Sequence, residues 1–163
     1  QERPDRPLET HHPMLVLLNT FVNRSDADHT APLIRRRPRD GAAPKHLLNY
    51  IGHPDSYSPL RAAGDLAISL GAPIAGATLF PPPCADYGDD DERAACGWTS
   101  SGWLPEVAPP VTGNTSGGVT AATRLLPAPK GKDGHYVAFE PAELMRIGEF
   151  FATAHADGTP TVK

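Results

Sequence analysis

Asp55 and His135 are the side chains of this sequence whose settings best suit acid–base chemistry. Asp55 lies in Gly52-His53-Pro54-Asp55-Ser56-Tyr57-Ser58-Pro59, just after a short apolar run. His135 stands on a glycine turn in Lys132-Asp133-Gly134-His135-Tyr136-Val137-Ala138-Phe139. A carboxylate that holds one imidazole nitrogen leaves the other free to take a proton from a hydroxyl nucleophile and return it to a leaving group. An aspartate followed later by a histidine agrees with the last two members of the chain order Ser, Asp, His. The nucleophile itself is missing. No Gly-x-Ser-x-Gly run occurs, and Thr115-Ser116-Gly117-Gly118 lacks the first glycine and precedes a strand instead of following one.

Other candidates are weaker. Asp55 has a plainer alternative as the cap of the helix after it, with His53 then the reactive histidine. Asp26, Asp86 and Asp89 follow no clear strand, and His29 and His46 have no comparable context. His155 suits a helix end. The adjacent His11-His12 pair reads as solvated, because neighbouring side chains point apart and no further ligands lie at helical spacing. Ser25-Asp26-Ala27-Asp28-His29 is too incomplete for a calcium loop. Cys84 and Cys96 share one Pro/Gly/Asp-rich stretch without a metal-binding pattern. A disulfide between them would close a short loop, stabilise it by roughly 3 kcal/mol and imply an oxidising compartment.

The elements that must carry Asp55 and His135 follow from periodicity. Pro13 opens an apolar segment, Met14 to Val22, that reads as a short helix whose wide apolar face suits a core position or, less well, a lid near a lipid substrate. Residues 45–51 read as a strand, and their continuous apolar character fits a parallel strand buried on both faces. Ser58 is expected to cap a helix with Pro59 at its first position, Leu60, Ala63, Ala67 and Leu70 on one face and Gly71 at its end. Asp55 then occupies a loop at a strand's carboxyl end, where open α/β sheets gather functional groups. Residues 72–118 lack clear periodicity, and Trp98 and Trp103 in that stretch pack it down or line a pocket. Residues 119–126 read as a second strand that feeds the turn bearing His135. A last helix from about Pro141 to Ala154 should line one face with Leu144, Ile147, Phe151 and Ala154, and a short polar tail follows.

The totals allow one domain of ordinary size: 163 residues, 39% hydrophobic and 21% charged. A net charge of -4 argues against a nucleic-acid binder, whose footprint would be basic. Nineteen prolines and fifteen glycines predict much loop. No apolar run is long enough for a membrane helix. Residues 1–12 read as a polar arm, and the Gln1 start suggests a processed or trimmed chain. The three arginines 35–37 read as a solvated face paired with local acids.

The Gly-His-Pro-Asp-Ser-Tyr-Ser-Pro and Asp-Gly-His-Tyr-Val stretches resemble the acid and histidine regions of bacterial α/β-hydrolases of the lipase/esterase type. The likeness is to large secreted or surface lipases of the virulence-factor lipase-like kind, and it covers about residues 13–72 and 119–160. It implies the carboxyl-terminal half of an α/β-hydrolase sheet with flanking helices, interrupted by the irregular 72–118 insertion. It also implies carboxylic ester hydrolysis without metal or organic cofactor, Asp55 as triad acid and His135 as triad base. The serine and oxyanion hole would come from an amino-terminal half borne on another segment, the substrate would be a small ester or lipid, and the location would be secreted, periplasmic or at the cell surface. The rival expectation is a non-catalytic binding or assembly module that keeps the hydrolase shape.

Overall fold

Strand β5 (Ala121–Pro127) sits inside a four-stranded parallel sheet of order β1-β5-β2-β3, with β1 at Leu47–His53, β2 at Ile74–Ala75 and β3 at Glu106–Val107. The computed structural model describes residues 13–22, 26–76 and 104–163. Ala121, Ala122 and Thr123 of β5 are fully buried, as a parallel strand covered on both faces should be. β1 runs beside it in continuous register from Leu47 opposite Ala121 to His53 opposite Pro127. Both strands therefore end at the same level. Among the described residues β1 is an edge strand.

Helix α3 (Leu60–Leu70) covers one face and helix α4 (Pro141–Asp157) the other. On the α3 side Ile51, Leu125 and Ile74 pack against Ala67, with Leu60 and Ala63 at the margin. On the α4 side Ala122 and Ala75 meet Phe150. Alternate residues of β1 and β5 thus point to opposite layers, as the pleat requires. The mixed α/β class with a mostly parallel sheet agrees with the expectation from sequence.

Several local expectations need correction. Helix α3 begins at Leu60, and Ser58 makes no side-chain cap. The arginines 35–37 do not merely solvate a face. Arg35 Nε donates to the Leu70 carbonyl at 3.1 Å and its guanidinium also reaches Gly71, while Arg36 reaches Ile68. They satisfy carbonyls at the end of α3, where Gly71 turns the chain with φ 64°. Helix α1 (Pro13–Val22) forms as expected, yet Met14, Leu17 and Leu18 are exposed rather than core.

Helix α4 is rotated from its expected phase. Leu144 and Phe151 are exposed and Glu143 and Phe150 are buried instead, while the expected Ile147 and Ala154 stay half-buried. On that inner face Glu143 pairs with Arg124 of β5 at 2.9 Å and Phe150 packs into the core. The polar tail is not free either: β6 (Thr161–Val162) pairs antiparallel with β4 (Val111–Thr112), and Val162 is core. The 72–118 stretch is irregular in its composition, but its ends supply β2, β3 and β4. The arm 1–12 with its histidine pair, Asp86, Asp89, both tryptophans and the Cys84–Cys96 disulfide lie outside the described residues.

Candidate active site

The loops that leave the ends of β1 and β5 bring Asp55 and His135 together. His135 Nδ1 lies 3.5 Å from Asp55 Oδ2. The acid is nearly closed off, with its side chain 10% exposed, while the histidine is 46% exposed. One side of the imidazole thus faces a carboxylate, and about half of the side chain is open to solvent. The separation is longer than a charge-assisted hydrogen bond, so the two groups make an ion-pair contact.

The acid is fixed by its own loop. Asp55 Oδ1 accepts from the backbone N–H of Tyr57 at 2.8 Å and of Ser58 at 2.9 Å. Asp55 does not cap α3, which starts at Leu60 without a side-chain cap; this oxygen instead tightens the turn ahead of the helix. Oδ2 remains for the imidazole.

Glycine packing seats the base loop on the acid loop. A Cβ at Gly52 would collide with the Gly134 carbonyl and the Val137 side chain, and a Cβ at Gly134 would collide with the Pro54 carbonyl. The two backbones touch here, and Gly134 N–H donates to the Pro54 carbonyl at 2.7 Å. His53-Pro54 is a cis peptide. From Gly134 the chain enters a 3₁₀ turn, Gly134–Phe139, that carries His135.

Asp133 ties the arrangement and was missed in the sequence. Its carboxylate accepts from His135 N–H at 2.9 Å on the base loop, and from Ser56 N–H at 3.0 Å on the acid loop. These donors, His135 first, hold its carboxyl below the usual carboxylate range. The available signal was the Asp-Gly-His spacing, which suits a side-chain cap at the start of a turn. Tyr57 and Tyr136 were missed too, and their rings lie 4.8 and 5.6 Å from the His135 ring.

A cleft of about 450 Å³ opens beside the pair, walled by Ile51, Pro59, Ala63, Leu66 and Val137, with Asp55 and His135 at its edge. Tyr50 contributes to its wall from β1, while its phenol lies beside Glu143 on the α4 side. Burial, followed by the nearby Glu143 carboxylate, pushes that phenol up to about 12.

The remaining candidates lie elsewhere or do structural work. His46 Nδ1 accepts from Thr120 N–H at 3.0 Å at the other end of the sheet. His29 stands 4.0 Å from Asp26 within a short helical turn. His155 is in the last turn of α4, as expected. Ser116 precedes β5 whereas His135 follows it, so the length of the strand separates them. Among the described residues, no cluster of metal-ligating side chains occurs and no helix is long and apolar enough to cross a membrane. Compared with protein-family models, curated proteins and solved structures, the chain matches none.

Proposed function

We propose that this chain supplies the acid and base of a serine carboxylic ester hydrolase, with the nucleophilic serine borne on a segment outside these residues. The observation that carries the reading is the 3.5 Å approach of His135 Nδ1 to a nearly buried Asp55 carboxylate at the ends of adjacent parallel strands. With Nδ1 turned to the acid, Nε2 is the nitrogen that handles the proton. It takes the proton of the serine hydroxyl as the oxygen attacks the ester carbonyl carbon. The tetrahedral intermediate then expels the alcohol: the C–O bond breaks, its electron pair stays on the alcohol oxygen, and the imidazolium returns the proton there. Water repeats the cycle on the acyl-serine and releases the acid. Asp55 holds the tautomer and stabilises the imidazolium throughout.

A second reading, a binding or assembly module of hydrolase shape, is favoured by one observation: the sequence has no Gly-x-Ser-x-Gly run. The two separate cleanly. Native material carrying this chain is treated with a fluorophosphonate probe, and intact masses and labelled peptides are read. A labelled serine in a Gly-x-Ser-x-Gly peptide supports the hydrolase. Absence of any labelled serine, in material that binds but turns over no ester, transfers the site to the module reading.

A further inference from the structure

The geometry points to a subsite for an aromatic alcohol, formed by Tyr57, Tyr136 and Phe139 around His135, so that the preferred substrates are esters with an aryl-bearing leaving group. Three rings run outward from the imidazole. Tyr57 is tilted against His135 with centroids 4.8 Å apart, Tyr136 stands edge-on at 5.6 Å, and Phe139 lies 6.5 Å beyond Tyr136. They are 66%, 43% and 67% exposed, a concentration of apolar surface at the most accessible part of the site. Large rings left in water at one spot mark a surface that something apolar covers.

The site itself says which part of the substrate that is. Asp55 occupies the Nδ1 side of His135, which leaves Nε2 to hand its proton to the departing alcohol oxygen. The group attached to that oxygen must therefore lie close to the imidazole, beside the rings that contact it. The loops that set the acid and base also set the rings. Tyr57 N–H is bound by Asp55, and Tyr136 N–H donates to the Asp133 carbonyl at 3.1 Å. Tyr57 and Tyr136 further engage through their hydroxyls, the first cause of the raised Tyr136 phenol. The result is an aromatic face with a polar edge on a backbone held by these bonds, and rings prefer to meet such a face offset or edge-on.

The inference rests on the hydrolase reading for its kinetic consequence, and its test separates the two. The full protein is assayed with 2-phenylethyl acetate, 2-cyclohexylethyl acetate and ethyl acetate, whose alcohols have similar intrinsic leaving ability. The expected wild-type order in kcat/KM is phenylethyl, then cyclohexylethyl, then ethyl. Phe139→Ala, at an exposed position whose ring contacts Tyr136, should cut the ratio of phenylethyl to ethyl acetate kcat/KM by about 3- to 10-fold. Equal rates on all three esters, or a preference untouched by Phe139→Ala, would overturn the subsite. If no ester is hydrolysed, the hydrolase reading fails first. Saturation-transfer NMR of 2-phenylethanol on wild type and Phe139→Ala then decides the subsite alone. Contact that weakens in the variant upholds it, and absence of contact removes it.

Discussion

Two charged pairs stand on the same sheet, and they are built differently. Arg124 and Glu143 form a closed pair: Nε to Oε2 is 2.9 Å, a second arm reaches Oε1 at 3.3 Å, and the side chains are 13% and 9% exposed. Arg146 adds a third contact at 3.3 Å. Asp55 and His135 form a half-open pair, with the acid enclosed and the base 46% exposed. The closed pair leaves Glu143 no side for a reactant. It locks α4 onto β5. The open pair leaves a proton-carrying nitrogen available, and it sits where two parallel strands end together. Under the hydrolase proposal, buried charge alone does not mark the reactive pair; the contrast in access between partners does.

That contrast predicts a double dissociation between activity and stability. His135→Ala should abolish ester turnover of the assembled protein while its thermal melt stays near wild type, because the ring is largely outside the core. Near-normal turnover would end the assignment of His135. Asp55→Asn should lower turnover by up to ~10⁴, since the tautomer is lost while the shape survives. Glu143→Ala should behave in the opposite sense. Removing one partner of a buried pair strands the other, at a cost of about 3–5 kcal/mol. Denaturant melts would show it, and activity per folded molecule should hold. A variant at Glu143 that folded normally but lost turnover would erase the distinction between the pairs.

The glycine seat between the loops offers a sharper break. Gly134→Ala places a Cβ against the Pro54 carbonyl and the Gly52 backbone, so the base loop must lift from the acid loop. A shift of about 1 Å in a catalytic group can cost ~10² in rate. Steady-state kinetics on folded Gly134→Ala should show that loss in kcat. A rate equal to wild type would mean that the pair does not need this seat.

Much of this was legible in the sequence for a physical reason. The apolar run before Gly52, and the alternation of strand and turn around 119–135, are local signals, and they placed Asp55 and His135 at strand ends without any contact information. What failed was non-local. Glu143 reads as a first-turn acid suited to the helix dipole, and nothing adjacent to it announces that its partner Arg124 lies on another element, beneath the helix. Arg35 reads as a surface charge because its partners, the carbonyls that end α3, lie far along the chain. Val162 reads as tail because its strand partner is Val111. Asp133 is the intermediate case. Its bond to His135 is local and discoverable, whereas its bond to Ser56 needs the two strands in register.

Asp133 therefore provides the finest probe of the open pair. It lies outside the cleft lining but reaches the Asp55 carboxyl, and it joins the two loops by backbone N–H groups from each. Asp133→Asn keeps one acceptor oxygen and the size of the side chain, so the fold should persist and kcat should fall by only about 10-fold, with KM little changed. The pH dependence follows from the direction of its shift. The folded-state carboxyl lies below its ordinary 3.8 because His135 N–H, then Ser56, favour the charged form. The contribution of the clamp is then complete above the ordinary value and is lost only as pH falls through the lower, folded one. Wild type and Asp133→Asn should differ in amide exchange at Ser56 and His135 at neutral and mildly acidic pH. The difference should close below the ordinary carboxylate range. A difference that vanished while the carboxylate was still ionised would show that the loops are held by the glycine seat alone.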